Sequence, residues 1–154
     1  VFGPILEEDF GVSVGAILDM MNGKYPIVPN WDMGVVDVRD VASLELLAMT
    51  KPEAAGKRFV CSAENIFMKD QNEYLSEIFP ESASKIPKRV APNWLIKFLA
   101  LFLPALKMIA EGLGKERSMD SSRARNLLGW NPRSAKEAVK SAAESAKEFG
   151  LIKD

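Results

Sequence analysis

Val35-Val36-Asp37-Val38-Arg39-Asp40-Val41-Ala42-Ser43-Leu44-Glu45-Leu46-Leu47-Ala48-Met49 changes its periodicity midway, and that change sets the fold class. β-Branched Val35, Val36, Val38 and Val41 around polar Asp37 and Arg39 predict a strand. Beyond it, Val41, Leu44, Leu47 and Ala48 recur at helical spacing and predict one buried stripe. Asp40 at the junction is the expected N-cap, its carboxylate accepting from the free N–H groups two or three residues on. Asp37 and Arg39 share one strand face, within pairing distance, so this charge cluster reads as ion pairing and capping rather than acid-base chemistry. A strand that runs through a cap into a helix predicts an α/β chain.

The flanking segments supply further short elements. Val1-Phe2-Gly3-Pro4 reads as a strand end entering a turn, because Gly-Pro halts regular structure. Ile5 to Asp9 reads as an acidic loop. A helix is expected from about Val12 to Asn22, with Val14, Ile17, Leu18 and Met21 on one face and Gly23 as its stop. Ser13 lies near its beginning, where a cap is the ordinary role. Tyr25 to Pro29 predicts a short edge strand, since its two prolines remove ladder donors, and Asn30 to Gly34 a loop. Lys51-Pro52 ends the opening helix. Lys57 to Ser62 predicts a strand, with Phe59 and Cys61 on one side and Arg58 and Val60 on the other. A helix follows from Met68 to about Phe79, then a short extended piece at Ile86 to Val90.

Pro92 to Gly112 is the most apolar region. Lys97, Pro104 and Lys107 interrupt it well short of the ~20 apolar residues a membrane span needs. It is expected to form a helix, or a bent pair divided at Pro104, buried against the rest of the chain. Arg117 to Asp120 reads as extended, with Ser121 or Ser122 capping a short helix through Leu128 and Gly129 ending it in a left-handed conformation. Trp130 anchors the turn that follows. Ser134, with Glu137 three residues on, predicts a capping box for a last helix that runs to about Phe149 and stops at Gly150.

Composition narrows the function classes. The 154 residues are one domain or a fragment of a larger one, 47% hydrophobic and 27% charged, as in ordinary globular proteins. A formal net charge of -1 gives no clustered basic face for nucleic acid. The single cysteine, Cys61, has no partner for an internal disulfide, which fits a reducing, cytoplasmic setting. With no histidine at all, a Ser-His-Asp triad, a Cys-His pair and a His-based zinc site are all removed. No secretory or transit peptide is visible, and Val1 is not expected to be the start of translation.

Two stretches resemble the extended short-chain dehydrogenases/reductases of the NAD-dependent epimerase/dehydratase superfamily. Val36-Asp37-Val38-Arg39-Asp40-Val41-Ala42 is similar to the segment that follows their catalytic region, and its Asp37 is shared by the aldehyde, methylglyoxal and dihydroflavonol reductase-like branch. Leu128-Gly129-Trp130-Asn131-Pro132, with a short helix before it and a Ser-capped helix after it, is similar to the family's closing pattern. The resemblance implies the C-terminal part of a Rossmann-type reductase: one α-rich substrate-binding lobe, residues 1–154, with a few short strands and the nucleotide-binding half missing. It implies NADP or NAD as cofactor, a small carbonyl compound as substrate, and the missing N-terminal half as partner, with no nucleic acid and no membrane. Val1 and Ser13 match positions that touch the cofactor, and Phe2, Pro4, Met33 and Gly34 match the substrate pocket. Trp31 lies in the same loop as Met33.

The chemistry such enzymes need is not legible in these residues. A glycine-rich turn after a strand holds the pyrophosphate, and a Tyr with a Lys four residues on supplies the proton. Tyr25 and Tyr74 are followed at that spacing by Pro29 and Ile78. No catalytic residue is assigned, and this chain alone is expected to be inactive. The competing reading is a non-catalytic α/β module that binds a ligand or partner through the apolar helix at 92–111. A third is a helix at 92–111 lying in a membrane interface.

Overall fold

Strand β1, Asp32–Val35, runs almost directly into helix α2, Val38–Thr50, in the computed structural model of the chain, which describes residues 1–7 and 10–152. Glu8 and Asp9, the end of the expected acidic loop, lie outside the described residues. The helix starts earlier than its valines suggest, and its N-cap is Asp37, not Asp40. The Asp37 carboxylate accepts the N–H of Arg39 at 2.9 Å, satisfying a free donor of the first turn. A β-branched residue is tolerated in that first turn, where no preceding helical turn crowds it.

The residues expected as a loop before it form a ladder. β1 pairs antiparallel with β2, Glu64–Phe67, in a two-stranded sheet, Asp32 opposite Phe67 and Val35 opposite Glu64. The strand expected at Lys57 to Ser62 is not one. Its side chains alternate as expected, Phe59 and Cys61 half-buried and Arg58 and Val60 exposed. Among the described residues, however, no neighbouring strand takes its backbone groups. Pairing starts only where the Ala63 N–H reaches the Val35 carbonyl at 2.8 Å. The extended pieces at Tyr25–Pro29 and Ile86–Val90 meet as a single parallel bridge between Val28 and Val90.

The main core lies between α1, Val12–Met21, α3, Met68–Ile78, and α7, Ala135–Glu148. α1 buries Val14, Ile17, Leu18 and Met21, and the chain leaves it through Gly23 at φ 71°, as its pattern predicts. α7 presents Ala135, Ala138, Val139, Ala142, Ala143 and Ala146, all fully buried, to α1 and α3. Such small side chains bring the neighbouring helices close. Ser134 accepts the Glu137 N–H at 3.2 Å, while the Glu137 carboxylate lies 3.4 Å from Arg133. The capping box is therefore present in its Ser half.

A second cluster joins Val36 and Leu44 to Ala124, Leu128 and Trp130 beneath α6, Ser122–Leu128. Ser121 takes the N-cap position as expected but its side chain makes no cap bond; Asp120 accepts the Ser122 N–H at 2.8 Å instead, a carboxylate being a strong acceptor for a free helix donor. Gly129 takes φ 66°, as expected.

The apolar stretch divides at Pro104 into α4, Asn93–Leu99, and α5, Lys107–Gly112. The expected burial is overturned. Trp94, Phe98, Leu101, Phe102, Leu103 and Met108 are exposed, Phe102 by 70%. A helix of two turns offers only one face to the small cluster of Ala91, Ile96 and Leu113, against which Ile109 and Ala110 also pack, and the large apolar side chains named above are left outside it. Among the described residues no helix is long and apolar enough to cross a membrane.

The alanine stripe sets a sharp limit on size. Ala142→Leu should lower stability by about 1–3 kcal/mol through overpacking, read as a shift of the urea midpoint without a change of slope.

Candidate functional site

Residues 1–4 run along the start of α2. The Phe2 N–H donates to the Val36 carbonyl at 2.9 Å, and the Val38 N–H donates to the Phe2 carbonyl at 2.7 Å. This makes a parallel bridge opposite Asp37. Gly3 has φ 117°, and a Cβ there would lie 2.8 Å from Val38 Cγ1 and 2.9 Å from Asp37 Oδ1. Only glycine lets the backbone pass so close to the capped helix. Downstream, the Ile5 N–H donates to Ser145 Oγ on α7 at 2.9 Å.

The expected site residues distribute on two sides of this seam. Val1 is 57% exposed, while the Phe2 ring is buried in the main core. Pro4 is half-buried. Ser13 sits half-buried in the first turn of α1, whose N-cap is Gly11 without a side-chain hydrogen bond, so capping is not the role of Ser13. Val14 and Phe2 belong to one cluster, and Met33 packs against it. Gly34, the next residue on β1, faces the other way. A Cβ there would lie 2.5 Å from the Met119 sulfur and 2.9 Å from Ser62 Oγ.

Asp32 carries a role the sequence reading missed. Its Oδ2 accepts the Arg117 N–H at 2.5 Å and Asn65 Nδ2 at 3.3 Å. Asn65 also donates to the Arg117 carbonyl and accepts the Met119 N–H at 3.4 Å. The Arg117 guanidinium lies 4.8 Å from the Trp31 ring centroid. The segment that expectation left simply extended is thereby laced across β1. No local pattern announces it, since Arg117 meets partners about fifty and eighty-five residues away.

Two further carboxylates stand at the start of α2. Asp37 is fully buried and receives Arg39 Nε at 2.8 Å and Nη2 at 2.6 Å. Arg39 Nη2 also donates to Ser141 Oγ on α7 at 3.0 Å. Asp40, one turn on, accepts the Arg133 N–H at 2.8 Å and Nη1 at 2.5 Å. Its backbone carbonyl accepts the Trp130 indole N–H at 2.9 Å. Burial works against the charge of Asp37, but the hydrogen bonds from the Arg39 side chain and N–H outweigh it and hold the carboxyl below the usual range. Burial, with Glu45 and Asp40 nearby, pushes the Cys61 thiol up, in keeping with a packing role.

Chemically, the three buried carboxylates are engaged with structural donors. Val1, Pro4, Ser13 and Met33 offer a largely uncharged surface with one hydroxyl, Phe2 is buried beneath it, and Gly34 lies on the opposite face of β1.

No protein-family model matches the chain. It is 26% identical over 155 residues to the NADPH-dependent methylglyoxal reductase of Saccharomyces cerevisiae, covering 97% of this chain and 41% of that protein. It is 28% identical over 151 residues to a putative dihydroflavonol 4-reductase of Synechocystis, covering 89% of this chain and 43% of that one. The crystal structure of the yeast methylglyoxal/isovaleraldehyde reductase complexed with NADPH superposes on 98% of the chain and 42% of its own, with a TM-score of 0.71 and 26% identity. The chain thus spans about two-fifths of the length of the curated relatives it matches along most of its own length.

The lowered Asp37 pKa fixes the sign of an acid effect. A depressed folded value contributes stability that is present above the ordinary value of 3.8 and is lost as pH falls through the folded one. Acid unfolding of the chain should therefore steepen below that pH, and Asp37→Asn should flatten this part of the curve while lowering stability at pH 7. Circular dichroism melts across the acid range check it.

Proposed function

The chain belongs to the extended short-chain dehydrogenase/reductase (epimerase/dehydratase) superfamily, matching its C-terminal part, and we propose that it is the substrate-binding lobe of an NADP- or NAD-dependent carbonyl reductase. The observation that carries this reading is the superposition of 98% of the chain on a reductase whose structure holds NADPH. The whole of residues 1–154 acts in this reading as one lobe.

Val1 and Ser13 approach the dinucleotide, and Phe2, Pro4, Met33 and Gly34 border the carbonyl substrate. The residues fit the neutral nicotinamide end of such a cofactor: Val1 is exposed, Ser13 offers a hydroxyl, and neither brings a charge. When bound, the dinucleotide supplies the hydride for the carbonyl carbon. This chain's own part is to hold the carbonyl compound against an apolar wall and keep water from it. The Gly3 turn positions that wall, because it fixes residues 1–4 against α2. The substrate is a small aldehyde or ketone. A non-catalytic module acting through the exposed helices at 92–111 is the less favoured reading, since the relatives that cover the chain are reductases.

NADPH oxidation with methylglyoxal and with isovaleraldehyde tests the assignment. The protein from the whole reading frame that contains residues 1–154 should turn over one or both. Residues 1–154 alone should turn over neither. Turnover by residues 1–154 alone, or none by the whole protein with any small aldehyde or ketone, would contradict the reading.

A further inference from the structure

Six large apolar side chains stand outside the core within fifteen residues of chain. Trp94, Leu101, Phe102 and Met108 are each at least 69% exposed, and Phe98 and Leu103 are more than half exposed. α4 carries Trp94 and Phe98 one turn apart, on one face. The turn after it adds Phe102, whose ring meets Phe98 edge to face with centroids 5.5 Å apart. Single exposed apolar residues are ordinary, but a run this dense marks an interaction surface.

α4 and α5 pack chiefly on each other and on the turn between them, over Ala91, Ile96 and Leu113. That cluster is distinct from the main core, which holds Phe2 and has Met33 against it. None of the six side chains is among those assigned to cofactor or substrate, so this inference does not rest on the reductase reading.

Charge selects the occupant. From Lys88 to Arg117 the chain carries six basic residues and two acidic ones, whereas the remainder carries fourteen basic and nineteen acidic. The formal net charge of -1 thus hides a positive segment within an acidic chain. Lys88, Arg89, Lys97, Lys107 and Lys115 are exposed, and none has an ion-pair partner among the described residues. Lys24, Lys69, Lys136 and Lys140, by contrast, each meet a carboxylate.

A second copy docked patch to patch would set Lys97 and Lys107 against like charges, which opposes self-association. An anionic bilayer surface suits both features. Aromatic and aliphatic side chains enter the boundary between headgroups and acyl chains, while lysines lay their stems along it and reach the phosphates. Trp94 has the amphipathic ring favoured at headgroup level. Among the described residues no helix is long and apolar enough to cross a membrane, so the attachment is interfacial. We propose that the α4–α5 face docks on an anionic membrane surface.

The test is flotation of the protein from the whole reading frame with vesicles of equal parts phosphatidylserine and phosphatidylcholine, and with vesicles of phosphatidylcholine alone. It should partition at least about tenfold more strongly to the anionic vesicles, and added salt should narrow the difference. Phe98→Ser combined with Phe102→Ser should lower the partition about tenfold or more. Lys97→Gln combined with Lys107→Gln should lower it on the anionic vesicles alone. Leu46→Ser, at an exposed apolar position on α2, should leave it unchanged. Maleimide labelling of Phe102→Cys, followed by mass spectrometry at that residue, gives a second readout: it should react in the free protein and be shielded on anionic vesicles. No flotation, equal partition to both kinds of vesicle, or undiminished flotation of the Phe98→Ser, Phe102→Ser variant would overturn the proposal. So would a Phe102→Cys thiol already shielded without lipid, because another part of the polypeptide or a second copy would then cover the patch.

Discussion

The arrangement depends on two carboxylates buried one turn apart at the start of α2. Asp37 caps the helix and holds Arg39, which reaches Ser141 in the middle of α7. Asp40 holds Arg133, which leads into α7, and its backbone carbonyl holds Trp130. Residues 1–4 and the continuous stretch of the 129–133 turn and α7, both distant from α2 in sequence, are referred to one helix N-terminus. Buried carboxylates are costly unless their oxygens are met by donors, and here charged side chains and backbone N–H groups both contribute. The N-terminal end of the helix dipole favours the same sign of charge.

This hub explains why the proposed site has the form of a wall. Residues 1–4 bond to the backbone on either side of Asp37, and Gly3 fits only because it has no Cβ to strike that carboxylate. Met33 and Phe2 meet on the main core, while Gly34 makes room for Met119 on the opposite face. Asp32 then draws the segment around Arg117 over β1. Polar groups in this region spend their bonding capacity on holding backbone in place, and the surface they support is mostly apolar. That suits selection and positioning of a small carbonyl compound.

Much of this was legible in the sequence. Helical periodicity located α1, α3 and α7 closely, Gly23 and Gly129 marked left-handed stops, and the Leu-Gly-Trp-x-Pro turn placed Trp130 in the core. The errors share a cause. Val38 and Arg39 looked like strand residues, yet a strong cap at Asp37 pulled them into a helix, tertiary context overriding a local preference. β1 hid behind Gly34, whose missing side chain weakens a strand locally but admits Met119 from a distant segment. Lys57 to Ser62 has the alternation of a strand, but hydrogen bonding needs a neighbour, which local pattern cannot supply. The outward face of α4 and α5 was misjudged because hydrophobicity ranks residues by preference for burial and not by what is available to cover them.

The most direct test is native-state hydrogen exchange on Asp40→Ala compared with the unaltered chain. Truncation leaves the part-buried Arg133 N–H without its acceptor, and charged hydrogen bonds of this kind contribute about 2 kcal/mol each. If the two carboxylates organise the fold, protection should fall across α2 and the first turns of α7 together, with global stability lower by about 2 kcal/mol or more. Protection unchanged in α7, with a stability loss below about 0.5 kcal/mol as at an ordinary surface position, would contradict the account.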